Sequence, residues 1–319
     1  MHPIWKDYYV DFGSVDSVYF GIMADQTSIY TGRAYKRPGE STLRVRINDI
    51  CADYLKNPRL QATEGFVNNP TPTFVVVDTG KGVEVASVQF LNDWSYEDYQ
   101  SQDLISDPIN ARLTNRMFLP LSVTTNPYGE FEVEVESREG RITYIYVNGA
   151  GDVGVYLVDL TPTKPGDKLS AAPSGSPDIA VFEVVDSCAK YALYYVNARG
   201  GWDAFIIEGN HTESDSLTRH VREQDYDNQN PINRGRVNYV TEAKKNMILH
   251  TGWLSDEESS RMHNLLNSTD VYLFDMDKRS FIPVLLVNTI TDYKTYKSNG
   301  GRLVNYAIEV EFANDRIRR

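Results

Sequence analysis

Residues Tyr194 to Gly209 read YYVNARGGWDAFIIEG, and their reading decides how the second half of the chain folds. Trp202, just after two glycines, has a flat apolar face with a polar N–H at one edge, which suits stacking on a sugar. The competing reading is a β-hairpin. Tyr191, Leu193 and Tyr195 share one face of a first strand, and Gly200-Gly201 turn the chain, since glycine reaches positive φ without penalty. Trp202, Ala204 and Ile206 then share one face of the returning strand. Apolar residues on matching faces make this stretch a core element first. Trp202 is expected buried or half-buried, and Arg199 is expected at an exposed turn.

Outward from the hairpin, the composition changes sharply at Thr161 to Asp178, TPTKPGDKLSAAPSGSPD, where Pro, Gly, Ser and Ala displace large apolar residues. Such a segment buries too little surface to offset its ordering entropy, so it reads as a linker. The chain has 319 residues, enough for two domains. The expected division is a β-rich domain over 1–160, the linker over 161–178, and a second β-rich domain over 179–319.

Before the linker, runs rich in Val, Ile, Tyr and Phe recur between Gly, Pro, Asn and Asp clusters: SVYFGIM, LRVRI, TFVVVDTG, VEVASVQF, FEVEVES, ITYIYV and VGVYLVDL. Phe131, Val133 and Val135 alternate with Glu132, Glu134 and Glu136, the mark of a half-buried strand. Ile47, Ile50, Cys51, Tyr54 and Leu55 recur at helical steps and predict a short amphipathic helix plugging one end of a sandwich or barrel. The glycines of VNGAGDVGVY, Asn148 to Tyr156, lack a following Lys-Ser/Thr and read as a hairpin turn rather than a phosphate cradle.

After the linker, the polar segment from His211 to Thr241 reads as a long excursion or poorly regular arm that contacts a partner. Ser255 and Glu258 have capping-box spacing, and Met262, Leu265 and Leu266 form an apolar stripe, so a capped helix is expected at about 255–267. Val304, Tyr306, Ile308, Val310 and Phe312 alternate as a terminal strand. The fold class is mainly β, sandwich-like or barrel-like, with a few short helices.

Chemistry-bearing motifs are absent from the sequence. No Cys-x-x-Cys or His-Glu-x-x-His spacing announces a metal, and the one Ser-Gly-Ser lies in the linker. The chain is therefore expected to be no enzyme and to carry no cofactor. Cys51 and Cys188 read as reduced, buried thiols. The N-terminus shows no signal-peptide pattern, and no run approaches a membrane span. With 32 Lys+Arg against 44 Asp+Glu, the formal charge of −12 opposes tight wrapping of nucleic acid. It leaves room for non-adhesive contact with DNA sliding past an acidic wall.

Five phrases in order, SIYTGRAYKRPGESTLRVRINDICADYL (Ser28 to Leu55), NDWSY (Asn92 to Tyr96), the hairpin, GWLSDEESSRMHNLLNSTDVYLF and LVNYAIEVEFANDRIRR, give the chain a resemblance. It resembles tail-associated structural proteins of Bacteroides-infecting tailed phages and prophages, crAss-like phages included. The resemblance implies a virion building block made in the host cytoplasm: a ring, hub or baseplate-type subunit around the tail axis. Its partners would be copies of itself and other tail, portal or baseplate proteins. Candidate subunit contacts are Arg199, Arg219, Arg222, Arg234, Arg236, Arg316, Arg318 and Arg319. The alternative is a carbohydrate-binding or receptor-binding module, with Trp94, Tyr96 and Trp202 as its stacking residues.

Overall fold

The computed structural model describes residues 2–55, 57, 59–68, 72–91, 111–123, 130–137, 139–148, 154–173, 180–223, 235–287, 297, 304–313 and 316–318. Its described residues form largely antiparallel sheets with two parallel strand pairs and two short helices, so the mainly-β expectation holds.

The N-terminal part contains β1 (His2–Pro3), β2 (Tyr9–Asp11), β3 (Ser17–Ala24), β4 (Thr27–Tyr35), β5 (Arg44–Arg46) and α1 (Asn48–Ala52). Next come β6 (Gly65–Asn68), β7 (Thr73–Asp78) and β8 (Val83–Leu91). One sheet runs β1-β8-β7-β3-β4, and β2 pairs with β5. A two-residue turn at Asp25 and Gln26, both at positive φ, joins β3 to β4; its backbone twist matches that of the strands. Phe20, Ile22, Phe74, Val76 and Phe90 form the core with Ile47 and Cys51 of the α1 region, so the predicted amphipathic helix does cover this sheet. The Asn48 side chain holds the N-terminal segment: its Nδ2 donates to the carbonyls of Ile4 and Lys6, both at 2.7 Å, and its Oδ1 accepts from the Tyr8 N–H. Burial pushes the Cys51 thiol up to about 12, which keeps it protonated and unreactive. Cys188 differs from expectation and is exposed.

Seven strands follow: β9 (Ala111–Leu113), β10 (Phe118–Val123), β11 (Glu130–Glu136), β12 (Ile142–Asn148), β13 (Gly154–Asp159), β14 (Lys168–Pro173) and β15 (Ala180–Val184). They form two sheets, β10-β13-β6 and β12-β11-β14-β15-β9. Two expectations are corrected here. The segment around Asn148–Tyr156 is no hairpin turn, because β12 and β13 belong to different sheets and the chain crosses between them; residues 149–153 lie outside the described ones. The expected linker contains β14, paired on both sides, with Leu169 and Ala171 buried. Its small residues are what a strand needs where sheets approach closely, a role that composition cannot distinguish from a linker. Residues 174–179 lie outside the described ones.

The C-terminal part holds β16 (Tyr191–Val196), β17 (Trp202–Ile207), β18 (His211–Glu223), β19 (Arg236–His250), α2 (Asp256–Leu266), β20 (Val271–Asp275), β21 (Ser280–Leu286), β22 (Ala307–Phe312) and β23 (Arg316–Arg318). The strand order is β17-β16-β20-β21-β22-β19-β18, with β23 also on β19. The strands at its two ends, β17 and β18, are consecutive in the chain. At their junction the Gly209 N–H donates to the His250 carbonyl and the His250 N–H to the Asn210 carbonyl, both at 3.0 Å. These bonds carry the β18–β19 pairing back to Gly209, so the sheet curls into an open barrel whose edge strands β17 and β18 are joined through residues 208–210. Gly209 permits this approach, because a Cβ there would sit 2.4 Å from the His250 carbonyl oxygen.

The hairpin forms as the sequence suggests but with different faces. Antiparallel register sets Tyr191 opposite Ile207, Leu193 opposite Phe205, and Val196 opposite Trp202. Residues directly opposite share a face. Tyr191, Leu193, Tyr195, Phe205 and Ile207 thus line the barrel interior with Met247, Leu249, Leu273, Ile308, Val310 and the α2 residues Met262 and Leu265. Ala192, Tyr194, Val196, Trp202, Ala204 and Ile206 point the other way and pack on Phe118, Leu119, Leu121, Leu157 and Leu169. Trp202, Ala204 and Ile206 therefore face away from Tyr191, Leu193 and Tyr195. Every residue of both strands is buried.

Polar contacts fasten the barrel to β10. The Tyr194 hydroxyl accepts from the Phe118 N–H at 3.1 Å and donates to the Phe118 carbonyl at 2.5 Å; the Ser122 hydroxyl accepts from the Trp202 N–H at 2.6 Å. The hairpin turn is organised by Asn197, whose Oδ1 accepts from the N–H groups of Arg199 and Gly201, while Gly200 sits at φ 82°.

The capping box of α2 forms as predicted: Ser255 Oγ accepts from the Glu258 N–H at 3.2 Å, and Glu258 Oε2 accepts from the Ser255 N–H at 2.8 Å. The second Glu258 oxygen meets Arg112 Nε of β9 at 2.5 Å. Burial works to raise the Glu258 carboxyl, but the Ser255 N–H and the Arg112 guanidinium outweigh it and hold it below the ordinary 4.5. A carboxyl depressed in the folded state stabilises above its unfolded value, and that contribution is lost as pH falls through the folded value. Glu258→Gln keeps a capping side chain without the charge. Denaturant titrations should therefore show it about 1–3 kcal/mol less stable at pH 7, with the gap closing as pH drops below 4.5.

Candidate functional site

The segment read as an irregular excursion is regular over its described residues, while 224–234 lie outside them. β18 and β19 pair antiparallel from His211 opposite Leu249 to Glu223 opposite Arg236, with a bulge between His220 and Val221. The β18 sequence HTESDSLTRHVRE is almost entirely polar and gave a weak strand signal, and regularity comes from the partner strand. At about 3.4 Å per residue the 13 residues of β18 run roughly 40 Å.

Only the base of this ribbon is braced. β22 pairs with β19 at Asn246–His250, and β23 pairs with it at Thr241–Ala243. The Lys244–Glu311 ion pair at 2.8 Å and the Lys245–Glu213 pair at 2.5 Å strengthen that base. The Lys245 ammonium, bonded to Glu213, holds that carboxyl below its ordinary value. Beyond Thr241, among the described residues, the two strands pair with each other alone. There Arg236 pairs with Glu223 at 3.5 Å and the His220 and Tyr239 rings stand 6.3 Å apart, while a His220–Glu242 contact at 3.4 Å links this part to the braced base.

Twelve of the 13 β18 residues are exposed and His220 is half-buried. Leu217, Val221 and Tyr239 are among the exposed large apolar side chains of the chain, at 48%, 51% and 51%. Those values decide the character of the ribbon: it carries apolar groups that the described body does not cover. Leu217, Arg219 and Val221, at alternate positions of β18, share one face.

The candidate residues separate as follows. Arg219, Arg222 and Arg236 lie together, exposed, on the ribbon. Arg316 and Arg318 lie on β23 against its base. Arg199 stands apart in the β16–β17 turn and is half-buried, not exposed, because Asn197 draws its backbone inward. Arg234 and Arg319, and the stacking candidates Trp94 and Tyr96, lie outside the described residues. Trp202 is 1% exposed and packs on Tyr272 with ring centroids 5.5 Å apart, so its face is closed to any glycan. Among the described residues, no three His, Cys, Asp or Glu side chains group to hold a metal ion, and no helix is long and apolar enough to cross a membrane.

What sequence reasoning missed is the apolar trio Leu217, Val221 and Tyr239. Its signal was available as isolated large apolar residues inside a charged segment.

No family model matches the chain, and no curated protein matches it.

A stacking tryptophan and a core tryptophan respond oppositely to truncation. Trp202→Ala should cost about 3–5 kcal/mol, seen as a lower denaturation midpoint, where a surface platform would leave the midpoint unchanged.

Proposed function

We propose that this chain is a structural virion protein of a phage tail, a multi-copy ring, hub or adaptor subunit around the tail axis, and that the β18–β19 ribbon is its contact arm. The observation that carries the reading is the ribbon itself: exposed along β18, two-stranded beyond Thr241 where it bears Val221 and Tyr239, and carrying Leu217 where β23 braces its base. A two-stranded ribbon is marginal on its own in water, so a partner that covers the apolar groups adds what the body does not supply.

The resemblance to tail-associated proteins of Bacteroides-infecting phages supports the same reading, with other tail, portal or baseplate proteins as further neighbours and the virion tail as the location. An arm that reaches a different surface of the next copy makes a heterologous contact, and such contacts close into rings. Arg219, Arg222 and Arg236 then meet a body whose chain carries a formal −12, which steers and orients docking more than it tightens it. The same negative charge lets DNA pass a central channel without adhering. The carbohydrate-binding alternative loses its principal residue with the burial of Trp202.

Sedimentation of the purified chain at rising concentration, together with mass spectrometry of purified particles, tests this reading. The chain should be present in particles and self-associate. Leu217→Asp with Val221→Asp should weaken self-association at least about tenfold, since truncating central apolar contacts commonly costs more than 1.4 kcal/mol, while leaving the melting midpoint in place. A chain that stays monomeric at high concentration and in particle extracts, or particles that lack it, would sink the proposal.

A further inference from the structure

A cleft of about 330 Å³ opens between the β16–β17 turn and the end of α2, lined by Val196, Asn197, Ala198, Asn264, Asn267, Ser268 and Thr269. It lies at the lower end of the roughly 300–1,000 Å³ range of small-ligand sites, which fits one ring-sized group.

Its walls are fixed. Asn197 Oδ1 accepts from the N–H groups of Arg199 (2.9 Å) and Gly201 (3.0 Å), and its Nδ2 donates to Asp203 at 2.9 Å. Ser268 Oγ accepts from the Val196 N–H and donates to the Asp270 carbonyl, both at 2.9 Å. These two side chains are spent on structure. Asn264, Asn267 and Thr269 are not: none makes a side-chain hydrogen bond among the described residues.

The lining therefore presents two carboxamides and one hydroxyl with their hydrogen-bonding capacity uncommitted, around the small apolar surfaces of Val196 and Ala198. A carboxamide both donates and accepts, as an alcohol does, so the match is to hydroxyl groups. None of the lining side chains is charged. The helix end at this cleft is the C-terminus of α2, whose partial negative charge disfavours phosphate or carboxylate. Without a carboxylate in the lining, an ammonium or guanidinium would enter unpaired.

From these features we infer that the cleft is a binding site for an uncharged polyhydroxylated ring, a single saccharide unit. Asn264 and Asn267 supply paired donor and acceptor contacts, Thr269 supplies a third, and the locked Asn197 and Ser268 keep the walls from collapsing. Asn197 and Ser268 hold the floor of the cleft in place, while Asn264 and the exposed Asn267 and Thr269 are ordered only on binding, which makes this a weak monosaccharide site. In a multi-copy assembly, repetition of such a site raises its avidity for a glycan-covered surface.

Saturation-transfer NMR on the full chain, with glucose, galactose and N-acetylglucosamine as neutral probes and guanidinium as a cationic one, tests the assignment. At least one sugar should give a signal, and Asn264→Ala with Asn267→Ala should weaken it about tenfold or more. The melting midpoint of that variant should stay level or rise, because neither side chain bonds internally and Ala favours helix at position 264 within α2. Absence of a signal from all three sugars, an unchanged signal in the variant, or preference for guanidinium over the sugars would overturn the inference.

Discussion

The structure depends on one constraint: the hairpin β16–β17 is a wall shared by two cores. Its inner face, with Leu193, Tyr195 and Phe205, belongs to the barrel interior, while its outer face, with Tyr194, Trp202 and Ile206, belongs to the core made with β10, β13 and β14. A strand buried on both faces has no place for alternation, and each of its side chains must fit neighbours on its own side. The buried polar groups follow from that position. The Tyr194 hydroxyl is satisfied by both backbone groups of Phe118, and the backbone N–H of Trp202 by Ser122, across the junction of the two cores. Losing such a partner inside a core leaves a desolvated group unpaired, which is more costly than the bond is favourable.

The curl of the barrel sheet follows from the same hairpin. Because β17 continues through Gly209 into β18, one chain segment forms both the buried wall and the exposed arm. The arm is thereby anchored beside strands whose every residue is buried. The neighbouring turn, held by Asn197, also shapes one wall of the cleft beside α2. Core, arm and cleft are thus consequences of a single folded element.

Much of this was legible in the sequence, for physical reasons that can be named. Ser255 and Glu258 announced the helix because capping chemistry is local, and Val304 to Phe312 announced a strand because one face is buried and the other wet. The hairpin was legible as a pair of strands, but not its double burial: YALYYV lacks alternation, which is the trace that two-sided burial leaves. Thr161 to Asp178 misled because small residues serve equally in linkers and in close-packed strands such as β14. The arm was legible as a long polar segment and not as strands, since its regularity is supplied by cross-strand pairing rather than by local propensity. The arginines of the arm were found by charge alone, whereas Arg199, though equally charged, is drawn in by a turn that only three-dimensional hydrogen bonding reveals.

A shared wall makes a strict demand on cooperativity: neither core can open while the other keeps its boundary. Native-state hydrogen exchange under increasing denaturant measures this directly. The account predicts that the amides of Leu193–Val196 and Ala204–Ile207 are the slowest to exchange. It also predicts that Leu157 on one side and Leu273 on the other lose protection with them in a single opening. Separate opening, with Leu157 exchanging at lower denaturant while Leu273 and the hairpin stay protected, would contradict it.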